Sequence, residues 1–123
     1  MSCAMAVEKM SSIHRQIAEE SEGDPDAIDL YDELIVAAIK YAAIRAEWAV
    51  MGREEKMEKD PLRTSLHNDV ILQTNMLARY QRQTGKPALW RDLLGDEKAD
   101  PMCRKVIGDF ACYLAFVNGI CAR

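Results

Sequence analysis

Three Asp-Pro dipeptides, Asp24-Pro25, Asp60-Pro61 and Asp100-Pro101, punctuate this chain and constrain its fold more than any other feature. An aspartate at a helix N-cap accepts the orphan N–H groups of the first turn. A proline at the next position gives up only a donor that has no partner there. Each pair therefore predicts a helix start. Glycines predict the stops, at Gly23, at Gly85 (followed by Pro87) and at Gly95.

Between these marks the apolar residues recur at helical spacing. Val7, Met10, Ile13 and Ile17 predict a first helix from about Ala4 to Ser21. A second is expected from Pro25 towards Lys59, burying Ile28, Tyr31, Ile35, Ala38, Ile39, Ala42, Ala46 and Ala49, with Gly52 breaking or bending its acidic end. A third runs from Pro61 to about Thr84, a short one covers Ala88 to Leu94, and the last runs from Pro101 nearly to the terminus. No segment alternates as a half-buried strand does, and short connections favour antiparallel neighbours. The expected fold is all-α, an antiparallel four-helix bundle with an additional short helix, in one domain over residues 1–123. A hydrophobic fraction of 49% at this length supplies an ordinary core without staples.

Charge and cysteine usage narrow the surroundings. A net charge of −4 argues against a nucleic-acid partner, which requires concentrated positive charge. No apolar run approaches the roughly 18 residues that span a bilayer, and the N-terminal segment lacks the pattern of a secretory signal. Cys103, Cys112 and Cys121 are spaced nine residues apart in one expected helix, too far along it to pair with one another. With Cys3 they read as reduced thiols, so a cytoplasmic location is expected.

Chemistry concentrates on the third helix. Leu66, Val70, Ile71, Leu77 and Ala78 define its apolar arc; Arg63, His67 and Thr74 fall within that arc and Asn75 at its edge. Arg63 and His67 are one turn apart, and an inward arginine requires a carboxylate, for which Glu47 and Asp109 are the candidates. Such a set either binds an anion or forms a closed polar network that fixes helix register. On the second helix Asp29, Glu33, Lys40, Glu47, Glu54 and Glu58 share a face, read as solvated or, alternatively, as a source of metal ligands. Glu55 and Glu58 have the Glu-x-x-Glu spacing of the all-α nucleotide pyrophosphohydrolases, whose size and helical content are similar. Their second motif, Glu-x-x-Asp on a following helix, is met only at Glu97–Asp100, in an expected loop. No glycine-rich phosphate loop is present, no cofactor is implied, and His14 and His67 are too few for a usual zinc site. Trp90 reads as a lid over the bundle end or, alternatively, as a binding element together with Arg91.

The final helix carries Val106, Phe110, Tyr113, Leu114 and Val117 on one side and Gly108, Ala111, Cys112, Ala115 and Gly119 on another. The small side fits either a central helix of one bundle or a self-association face.

The segments Arg63-Thr-Ser-Leu-His67-Asn, Asn75-Met-Leu-Ala-Arg79, Trp90-Arg-Asp-Leu-Leu-Gly95 and Ile107-Gly-Asp-Phe-Ala111 resemble a small bacterial family of uncharacterised helical proteins, over roughly Ala27 to Arg123. The resemblance implies a compact helical fold, supplies no activity, and gathers Arg63, His67, Asn75, Arg79 and Asp109 as a shared pocket. The expected function is a non-enzymatic helical interaction protein, a homodimer with an internal polar network around Arg63 and His67. The alternatives are a metal-dependent nucleotide phosphohydrolase using Glu47, Glu54, Glu55 and Glu58, or a bundle that binds a small anion through Arg63, His67 and Arg79.

Overall fold

The computed structural model describes residues 7–95 and 104–119. The start at Asp100-Pro101, the Glu97–Asp100 pair, and Cys3, Cys103 and Cys121 lie outside the described residues. The described chain is all-α: α1 (Val7–Ser21), α2 (Pro25–Trp48), α3 (Arg53–Gln83), α4 (Trp90–Leu93) and α5 (Arg104–Val117). No helix among the described residues is long and apolar enough to cross a membrane.

The start of α2 is capped as its sequence dictates. Asp24 is extended, and its Oδ1 accepts from the backbone N–H of Asp26 at 3.1 Å and of Ala27 at 3.3 Å, with Pro25 next in the chain. The end of α3 is equally regular. Lys86 N–H returns to the Gln81 carbonyl at 2.8 Å and Gly85 N–H to that of Arg82 at 3.2 Å, with Gly85 at a φ of +89°. This pair of bonds closes a helix only where one residue adopts the left-handed conformation, which glycine does without a Cβ penalty.

The second Asp-Pro pair does not start a helix. The chain turns after Trp48, Gly52 caps α3 in an extended conformation, and Pro61 lies inside α3 with Asp60 just before it. An internal proline removes one i→i−4 bond and crowds the preceding turn. Here contacts to the end of α2 grip α3 on both sides of it: Lys56 Nζ lies 6.0 Å and Arg63 Cζ 4.8 Å from the Trp48 ring centroid. The expected acidic face is therefore divided, Glu54 and Glu58 belonging to α3.

At the opposite end Tyr80, near the close of α3, donates its hydroxyl to the Asp24 carboxylate at 2.9 Å. With Trp48 against the start of α3, this contact shows that α2 and α3 run antiparallel. α2 packs extensively on both α3 and α5, while α1 touches α2, α4 and α5. Because α2 is covered from two directions, its buried face is Ala27, Leu34, Ala37, Ala38, Tyr41, Ala42 and Ile44. It is rotated from the expected stripe, and Ile28, Ala46 and Ala49 are exposed.

The small side of α5 is occupied within the chain. Ala111 and Ala115 are fully buried, and a Cβ at Gly108 would fall 3.0 Å from the Tyr41 hydroxyl and 3.2 Å from Arg45 Nη1, both on α2. That stripe serves as a central-helix surface, with α2 packed against it at Gly108. Val117 and Gly119 are exposed instead of packed.

Candidate functional site

Two polar clusters stand out, one part-buried between helices and one open. The part-buried cluster joins α2, α3 and α5. Arg45 Nη2 lies 2.7 Å from Asp109 Oδ1, and its Nη1 donates to Cys112 Sγ at 3.6 Å. Burial alone would lower the Arg45 pKa; the Asp109 hydrogen bond and the Cys112 sulfur outweigh it, and the net direction is upward. Tyr41 packs beside this pair and meets His67 edge-on, ring centroids 5.2 Å apart.

Asp109 thus does pair with an arginine, but the arginine is Arg45. Arg63 stacks on Trp48, and its buried Nε has no hydrogen-bond partner among the described residues. The carboxylate expected for an inward Arg63 is replaced by the face of an indole, whose quadrupole attracts a guanidinium. Glu47 is exposed near the end of α2, lining a shallow depression with Lys40, Lys59, Leu62 and Leu66.

The open cluster lies on the C-terminal half of α3, where Asn75, Arg79, Arg82 and Gln83 meet Arg91 of α4 around a groove of about 470 Å³. Its position follows from how α4 is anchored. Trp90 is fully buried and donates Nε1–H to Gln81 Oε1 at 2.9 Å, while Gln81 Nε2 donates to Ser21 Oγ at 3.0 Å. The residue before this turn, Ala88, is buried at a φ of +47°. It is held from both sides, its N–H donating to buried Glu20 at 2.9 Å and its carbonyl accepting from Arg82 Nη2 at 3.2 Å.

Seated in this way, α4 presents Arg91 to α3, and Arg91 Nε donates to Asn75 Oδ1 at 2.7 Å. Asp92, the one carboxylate at this rim among the described residues, lies 3.3 Å from Arg82; both are exposed, so water screens the pair. Arg79 is exposed and makes no ion pair among the described residues.

The six candidate ligand-binding residues therefore do not converge. Asn75 and Arg79 share the groove. Arg63 and His67 lie further back on α3, His67 by ~12 Å of helix rise from Asn75. Asp109 is engaged on α5, and Glu47 is solvated. Nor do the carboxylates Glu47, Glu54, Glu55 and Glu58 assemble: all are exposed, and Glu55 contacts Lys59 at 3.8 Å. Among the described residues no group of three or more His, Cys, Asp or Glu side chains is placed to hold a metal ion.

Two residues escape a reading that follows the apolar arc. Arg45 is detectable as the neighbour of Tyr41 one turn on, opposite Gly108 and Cys112, which share the same spacing on α5. Arg82 extends Asn75 and Arg79 along one face at i, i+4 and i+7.

No family model matches the chain, and neither the curated proteins nor the solved structures compared with it contain a match.

Proposed function

We propose that this chain is a helical binding protein, folded as an antiparallel four-helix bundle with α4 closing one end, and that its groove between α3 and α4 takes up a small anion. One observation carries this reading: Arg79, Arg82 and Arg91 line one groove, with Asp92 the single carboxylate at its rim among the described residues. Three guanidinium groups gathered on one groove repel one another, and a bound anion offsets that repulsion. Guanidinium forks suit carboxylate and phosphate, which they bind in two-point fashion. No observation favours the metal-dependent hydrolase.

The test is calorimetric titration of orthophosphate and of citrate into the wild type and Arg79→Ala at low salt. At least one of the two anions should bind the wild type, with a loss of about tenfold in affinity in the variant, the equivalent of one charge-assisted contact. Because Arg79 is exposed, thermal stability should be unchanged. Equal affinity in both proteins, or no heat from either anion, would refute the proposal.

A further inference from the structure

The pole that carries the arginine groove also carries its electrostatic complement. From residue 16 to residue 39 the chain has eight carboxylates and no lysine or arginine. Two have internal roles: Asp24 caps α2 and accepts from Tyr80, and buried Glu20 holds Ala88. Glu19, Glu22, Asp26, Asp29, Asp32 and Glu33 are exposed and make no ion pair among the described residues. Since α2 and α3 are antiparallel, this acidic start of α2 and the basic end of α3 share one pole, yet within one chain the two sets do not pair.

Exposed apolar residues accompany both sets. On α2, Val36 is 46% exposed and lies seven residues beyond Asp29; on α3, Leu72 is 52% exposed and lies seven residues before Arg79. Seven residues is ~10 Å of helix in each case. An antiparallel approach of α2 from one copy to α3 of another therefore matches Asp29 with Arg79 and Val36 with Leu72 in the same register. Met76, also exposed, extends the apolar part of the α3 stripe.

We infer that the acidic, N-terminal half of α2 in a second copy of this chain docks on the arginine-bearing face of α3, with two such contacts closing a homodimer. The inference rests on the groove being an acceptor of carboxylates. It places the self-association surface on α2 and α3, away from the small-residue side of α5. Exposed ion pairs are weak and screened by salt, so the charges set partner and register while Val36, Leu72 and Met76 supply the apolar contact.

Sedimentation equilibrium tests it with Asp29→Lys and Arg79→Glu, both at exposed positions, each checked for unchanged helicity. The wild type should be dimeric at about 100 µM in low salt, and its dissociation constant should rise about tenfold on going to about 0.5 M NaCl. Each variant alone should be monomeric, because it sets like charges against each other. An equimolar mixture of the two should dimerise again. In the mixed dimer the two reversed charges face each other as an opposite pair at one contact, and the native Asp29–Arg79 pair forms at the other. Leu72→Asp should also be monomeric.

A wild type that stays monomeric throughout would overturn the inference, as would dimers indifferent to both charge reversals. Citrate titration of the same samples separates the two readings. Arg79-dependent citrate binding by a monomeric protein leaves the anion groove standing and removes only the dimer.

Discussion

Gly108 is the residue at which the sequence allows two outcomes and packing selects one. A glycine inside a helix weakens it by about 0.5–1 kcal/mol relative to alanine, so Gly108→Ala ought to stabilise α5 in isolation. In the fold the new methyl would press on the Tyr41 hydroxyl at 3.0 Å, and Tyr41 is buried with His67 against its ring. Displacing that ring also disturbs the Arg45–Asp109 pair, and the packing penalty outweighs the propensity gain. Chemical denaturation should show Gly108→Ala less stable by ~1–2 kcal/mol, and a more stable variant would mean that the α2–α5 contact is loose. His14 gives a second residue-scale prediction. It packs between the rings of Tyr31 and Tyr113, at 5.9 and 6.2 Å, and burial lowers its pKa from 6.5. The unfolded chain then binds a proton more readily than the folded one. This contribution to stability is complete above pH 6.5, falls as the pH drops below it, and levels off below the depressed folded value. His14→Asn should flatten the melting temperature between about pH 7 and 5.5, and an unchanged slope would remove His14 as its cause.

At the scale of elements, the punctuation was legible wherever local chemistry decided the outcome. Asp24-Pro25 starts a helix, Gly85 closes one, and Trp90 anchors a short one, each through atoms within a few residues or a single buried side chain. Asp60-Pro61 follows the same local rule and fails, because Trp48 at the end of the preceding helix binds cations on both sides of the proline. The candidate site divides similarly. Asn75 was legible at the edge of the apolar arc, and Arg79 entered only through the family resemblance. The true partner of Asp109 was not, because an inward arginine states only its need for compensation, and here an indole face covers Arg63 while its Nε has no hydrogen-bond partner among the described residues. If tertiary contacts override Pro61, the helix carries a defect that alanine should repair. Pro61→Ala is expected to raise stability by ~1–3 kcal/mol with no loss of helicity. A destabilised variant would show that Pro61 is a structural boundary after all.

Over the whole molecule, charge is sorted. The start of α2 is acidic, the end of α3 with α4 is basic, and the Tyr80–Asp24 and Gln81–Ser21 bonds hold the two ends side by side. The part-buried Arg45–Asp109–Cys112 cluster lies beside Tyr41 and Gly108 and ties α5 to α2. The groove between α3 and α4 is open and gathers Arg79, Arg82 and Arg91, and the function we propose lies there, away from Arg63 and His67. The most direct measurement follows the arginine side-chain Nε–H resonances by NMR while orthophosphate is added to the wild-type protein. Saturable shifts are expected at Arg79, Arg82 and Arg91, with Arg45 and Arg63 unmoved. Shifts centred on Arg63, or none that saturate at any arginine, would contradict an anion site in this groove.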